Sequence, residues 1–202
     1  MDGSGRVREV LDFWFGDASS ESEVAAQRMK VWFTKDPLFD QALRERFGAL
    51  IESAGRGELD SWIEDPKSRL ALVLVLDQFP RNAFRGTPRS FAFDGRAAAI
   101  AVDDLKRGDD EVLRRIERAF LYLPLEHAEK LELQELSVRA YGELLAEAPE
   151  EGKEIFQEYF KYAVAHREII ARFGRFPHRN AILGRASTPE EIEFLKEPGS
   201  SF

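Results

Sequence analysis

Cysteine is absent from the 202 residues. That excludes disulfides, thiolate zinc sites and a cysteine nucleophile. Histidine is scarce, at three residues, and no two have the i,i+4 spacing of a His-Glu-x-x-His zinc helix. No metal site is expected. Neither a Walker pattern nor a dinucleotide fingerprint occurs, so no cofactor is expected either. No apolar run approaches the ~20 residues of a membrane span. Met1 to Asp17 lacks the apolar core of a signal peptide. Positive charge is also short, and the net charge of -8 argues against a general nucleic-acid binder. These absences describe a soluble cytoplasmic protein that binds neither nucleic acid nor membrane. Period-two alternation, a clean tetratricopeptide-length repeat and low-complexity segments are missing too.

Apolar residues make up 44% of the chain, with sixteen Phe and three Trp, enough for a bulky aromatic core. Their spacing is helical. Val7, Val10, Leu11, Trp14 and Phe15 open the pattern, and Val24 to Phe33 continues it. Asp36-Pro37 and Asp65-Pro66 each read as N-cap and first helical position. The second of these starts a helix with an unbroken apolar run, Leu70 to Leu76. A helix apolar all round belongs at the centre, so Pro66 to Gln78 is expected to be the most buried of the chain. Residues 79–93 read as a loop. Helices follow over Arg96 to Arg107, Val112 to Pro124, Glu129 to Glu147 and Glu150 to Phe173. Pro124 is read as a stop, and Glu129 to Glu135 as a solvated face. Thr188-Pro189-Glu190-Glu191 is a capping box that begins a last short helix. The expectation is an all-α single domain over residues 1–197, with about eight or nine antiparallel helices and a tail from Pro198 that frays.

Two segments echo one another. Phe79-Pro80-Arg81-Asn82-Ala83 is matched by Phe176-Pro177-His178-Arg179-Asn180-Ala181. Together with Leu76-Asp77-Gln78, Arg85-Gly86-Thr87-Pro88, Leu123-Pro124-Leu125-Glu126-His127 and Phe173-Gly174-Arg175, they resemble a mainly bacterial family known as domain of unknown function 924. The resemblance covers nearly the whole chain. It implies an all-helical fold similar to tetratricopeptide-repeat proteins. It implies no activity, cofactor or catalytic residue.

Arg81, Arg85, Arg89, Arg175, Arg179 and Arg185 lie in the two loops that carry the echo, residues 79–93 and 173–185, which hold no Lys, Asp or Glu. The planar fork of arginine suits carboxylate or phosphate. One reading pairs these arginines internally. In particular, Asp77, expected at a helix C-terminus, should be held by Arg179. The other leaves at least one arginine open to an external anion. The ligand-binding candidates are therefore Asp77, Arg81, Asn82, Arg85, Arg175, His178, Arg179 and Asn180. The two loops should meet in space if they share anions. His127 or His178, helped by Glu126 or Asp77, has the chemistry of a general base. His166 lies on the apolar face of its helix and reads as core.

Two functions follow. The first is a helical binding module whose arginine-rich pocket takes an anionic small molecule or a peptide carboxylate. The second is a hydrolase or isomerase acting on a phosphorylated or carboxylated substrate, with a histidine as base. They differ in one requirement: an enzyme needs a histidine in reach of a concave pocket. A scaffold, in turn, would leave no arginine fork open.

Overall fold

The computed structural model describes residues 3–18 and 20–201. The chain is all-α, and no strand occurs among the described residues. The helices in chain order are α1 (Gly3–Phe15), α2 (Glu21–Phe33), α3 (Pro37–Gly55), α4 (Pro66–Leu76) and α5 (Gln78–Ala83). They are followed by α6 (Asp94–Arg107), α7 (Arg115–Glu126), α8 (Leu131–Ala146), α9 (Lys153–Phe173) and α10 (Pro189–Phe194). Short 3₁₀ turns fill several of the gaps.

The predicted starts hold. Asp36 accepts from the Leu38 and Phe39 amides at 2.9 and 3.3 Å, and Asp65 from the Ser68 amide at 3.0 Å. Each satisfies orphan donors of a first helical turn. Thr188 and Glu191 form the reciprocal capping box of α10.

From Arg69 to Leu76 every residue of α4 is buried. It is not alone. In α7 everything from Ile116 to Glu126 is buried, a longer stretch than in α4. The expectation of one central helix is corrected to two. The reason is that α7 hides charged residues as well as apolar ones. Glu117 takes Lys67 at 2.6 Å, and Arg118 takes Asp110 at 3.0 Å and Glu147 at 2.7 Å. Apolar content alone does not reveal such burial. Similarly, Arg69 of α4 is buried because it binds Asp104 of α6 and the Ile63 carbonyl.

Pro124 does not stop α7, which runs through it to Glu126. The His127 amide still reaches the Leu123 carbonyl at 2.9 Å. Residues 79–93 are not a plain loop either. They contain α5 and a 3₁₀ turn over Pro88–Phe91. Pro80 sits in the first turn of α5, where its missing N–H costs nothing.

The main core gathers α1, α2, α4 and α7 around aromatic contacts. Phe120 lies 5.6 Å from Trp14 and 4.5 Å from Trp32. Tyr141 of α8 stacks on Tyr159 of α9 at 5.9 Å. A second, smaller core forms at the C-terminal end from Ile169, Ile170 and Phe176, with Phe173 and Phe194 against them. Gly174, at φ 66°, ends α9 and turns the chain into that cluster. Ser200 is buried, and its hydroxyl donates to the Leu195 carbonyl.

Candidate functional site

The site begins at the break between α4 and α5. Asp77 ends the first helix and precedes the second, and none of its surface is exposed. A buried carboxylate needs partners, and Asp77 has three. Nδ1 of His127 lies 2.8 and 3.0 Å from its two oxygens. The Gln78 amide donates at 2.6 Å. Arg81 Nη2, one helical turn on, is at 3.3 Å. Burial alone would raise the pKa of Asp77. The positive charge of Arg81 and the bonds from His127 and Gln78 overcome it and hold the pKa below the usual value. Asp77 is therefore an anion at every ordinary pH.

That fixes the histidine. Arg81 Nε also approaches His127 Nδ1, at 3.2 Å, and a nitrogen cannot accept from it while donating to Asp77. The two shorter contacts with an ionised carboxylate decide the matter, so Nδ1 carries the proton and Nε2 the lone pair. Burial and the nearby Arg81 charge lower the pKa of His127. It is a neutral imidazole, oriented by a carboxylate, which is the arrangement of a general base.

Asp94, at the start of α6, joins the echoing segments. Its Oδ2 accepts from Arg81 Nη2 at 3.0 Å and from Arg179 Nη1 at 3.3 Å. The two loops do meet in space. The partner assigned to Arg179 is corrected, however. Asp77 is held by His127, Gln78 and Arg81. Arg179 reaches the cluster through Asp94 and the His127 carbonyl, at 3.0 Å. Arg81 sits four residues from Asp77, so a local helical pair wins over a distant one.

Beside this cluster a groove of about 740 Å³ opens between α6, the α7–α8 connection and the C-terminal segment. Its lining includes Asp94, His127, Glu129 and Arg179, with Phe91, Ala98, Ala99, Val102, Leu133 and Leu183. The size suits a small molecule. His127 thus stands at a concave surface.

The other candidates have structural duties. Arg85 binds Asp40 through two bonds of 2.7 and 3.0 Å, and the Asn82 side-chain oxygen at 2.8 Å. Arg89 binds Glu52. Arg175 binds Glu191 through 2.6 and 2.8 Å bonds. Arg185 binds Glu129 through 2.6 and 2.9 Å bonds, and Glu129 also accepts the Phe176 amide. Glu129 is therefore a clasp for the C-terminal segment, not a solvated face. Asn180 bridges Arg185, Ser187 and Glu191. Neither Arg85, Arg175, Asn82, Asn180 nor His178 lines the groove. His178 packs on Phe176 at 5.6 Å, and burial pulls its pKa down to about 4.

Glu126 points away from His127 in function. It lies 3.2 Å from His166 in the interior. Burial, then the charge of Asp77, pushes its pKa up to about 8, while burial takes His166 down to about 3. The pair is neutral at pH 7. Asp77, not Glu126, orients His127. His166 is a core residue, as its spacing predicted.

Arg179 differs from the other five arginines. Its side chain is 6% exposed and lies between Phe91 and Phe176, 4.6 and 4.4 Å from the ring centroids. It donates only through Nη1. Nη2 makes no hydrogen bond among the described residues, and Nε is buried without a partner. Burial and the neighbouring Arg81 hold its pKa down to about 10, so it remains a cation. One fork is open. Phe91 and the groove face of α6 were not singled out from sequence, whereas Asp94 was a candidate acid for the loop arginines, and both Arg81 and Arg179 reach it.

Among the described residues, no group of three or more acids and histidines is placed to hold a metal, and no helix is long and apolar enough to cross a membrane.

The fold and site define an all-α protein with a buried Asp-His pair at the edge of a groove. The chain belongs to the bacterial protein family of unknown function DUF924, whose model matches residues 10–199. It is similar to the solved structure of ATU0120, a protein of unknown function from Agrobacterium tumefaciens. Identity is 38% and the TM-score 0.81, over 98% of this chain and 100% of the other. Nothing among the curated proteins matches the chain.

Proposed function

We propose that the protein is an enzyme of acid–base chemistry, which holds a small anionic substrate on Arg179 and moves a proton with Nε2 of His127. The observation that carries this reading is the Asp77–His127 pair at the groove, 2.8 Å apart. In the reaction, Nε2 takes a proton from a carbon acid of the substrate or from an attacking water. The imidazolium so formed keeps its Nδ1–H on the Asp77 carboxylate, which stabilises the new charge. Arg179 positions the substrate's acidic group. A pure binding module built on many arginines has less support, since all six pair with carboxylates of the chain. The proposal places this chemistry in a tetratricopeptide-like helical array working in the cytoplasm.

The test is proton NMR in D₂O with mixtures of small carboxylic and phosphorylated compounds. Wild-type protein should bleach a C–H signal or create a product signal, and His127→Gln should do neither. Equal behaviour of the two proteins would overturn the proposal. Imidazole ¹⁵N shifts should also report the Nδ1-protonated tautomer for His127 at neutral pH.

A further inference from the structure

The groove has a shape and a lining that narrow the ligand. Gly95, Ala98, Ala99 and Val102 line it from α6. Their spacing of three, four and seven residues puts them on one face. Small side chains there leave a trough that runs along the helix for about 10 Å, at 1.5 Å per residue. Leu133 and Leu183 form the opposing wall. Asp94 and Asp103 flank this stretch of the α6 lining, and between them the residues it presents are apolar, so a ligand lying along it meets mainly apolar side chains of α6.

The head of the trough is different. Arg179 is nine-tenths buried and lines the groove with its Nη2 unbonded and its Nε buried and unpartnered. The rings of Phe91 and Phe176 hold its plane. A guanidinium held in this way, with donors left on Nη2, suits a carboxylate. The charges nearby limit the anion. Arg81 and Arg179 face Asp77 and Asp94, and His127 is neutral. These four charges already cancel, and Glu129 in the same lining is balanced by Arg185. A monoanion adds one negative charge, whereas a phosphate dianion would add two beside Asp94. At the rim, Lys106 and Lys130 are exposed and have no ion pair among the described residues. They draw acids to the opening of an otherwise acidic protein.

Building on the enzyme reading above, we propose that the substrate class is a linear aliphatic monocarboxylate, with its carboxylate on Arg179 and its chain along the Gly95–Val102 face of α6. His127 then stands at the head-group end, next to the carbons adjoining the carboxylate.

Calorimetry and thermal shift with sodium octanoate, sodium acetate, octanol and inorganic phosphate test this on the full chain. Octanoate should bind saturably and raise Tm. Acetate lacks the chain and octanol the charge, so each should bind at least about tenfold more weakly. Ala99→Phe fills the trough from an exposed position and should remove octanoate binding without changing the fold. Arg179→Lys should weaken it, because a point charge does not replace a fork. Phosphate binding tighter than octanoate overturns the proposal, as does octanoate binding that is absent or unchanged in Ala99→Phe. The wild-type comparison of octanoate, acetate and octanol decides even if a variant misfolds. The two readings fail separately. Loss of the chain preference with His127-dependent turnover intact removes only the substrate class. Octanoate binding with no difference between wild type and His127→Gln in NMR removes only the catalysis.

Discussion

Phe79-Pro80-Arg81-Asn82-Ala83 and Phe176-Pro177-His178-Arg179-Asn180-Ala181 are nearly the same words in two different electrostatic settings. In both, the Phe is a buried anchor. In both, the Asn side-chain oxygen braces a later arginine, Arg85 at 2.8 Å and Arg185 at 3.0 Å. The arginine after the proline is where they part. Arg81 has Asp77, Asp94 and the Ser90 carbonyl. Arg179 has one bond to an Asp94 already shared, and one to a carbonyl. The supply of nearby carboxylates, not the motif, decides which arginine is structural and which is open. The downstream acids are used elsewhere: Glu129 on Arg185 and Glu191 on Arg175.

The largest expected effect tests the closed half. Arg81→Met leaves Asp77 buried without its main counter-charge. It should cost ~3–5 kcal/mol, read from urea denaturation. A loss within experimental error of zero would mean that His127 and Gln78 suffice.

Glu126 sharpens the comparison, because it is an acid that no arginine reaches. Its folded pKa of about 8 lies above the ordinary 4.5. Between those values the folded state holds a proton that the unfolded chain has lost, so stability falls as pH rises. His166 and His178, at about 3 and 4 against 6.5, and His127, also lowered, act in the opposite sense, mainly below pH 6.5. From pH 6.5 to about 8 the Glu126 effect dominates. There the wild type should lose up to about 2 kcal/mol, and Glu126→Gln, which mimics the protonated acid, should not. Parallel stability curves for the two proteins would show that Glu126 is ionised in the fold.

Arg179→Met should cost less than Arg81→Met, about 1–2 kcal/mol, for one charged contact and one carbonyl bond. Equal losses from the two variants would break the contrast and make both arginines structural. The smallest effect concerns the clasp around the open half. Thr188→Ala removes the cap of α10 and should cost about 1 kcal/mol. Faster amide exchange confined to residues 173–195 would localise it, and exchange spread through α4 would contradict the separateness of the second core.

Several features were legible in the chain because their causes are local. A cap and its amides lie within three residues, as at Asp36, Asp65 and Thr188. Helical spacing of apolar residues predicted the burial of Trp14, Phe15 and His166. A Phe-Pro-Arg-Asn echo pointed to two loops that meet. Local rules also misled. Proline as a stop failed at Pro124, since packing on every side keeps α7 helical through it. No local rule pairs Asp94 with Arg179, which is 85 positions away.

The sequence by itself determined the fold class, the helix starts and the pool of charged residues, since these follow from neighbours one to four positions apart. Only the tertiary structure decided how that pool is shared. The carboxylates that neutralise Arg85, Arg89 and Arg185 come from 45, 37 and 56 positions away. His127 meets Asp77 across 50 positions. Which base is oriented and which fork stays open depends on distances of a few ångströms between helices, because the energy of a buried charge changes steeply over that range.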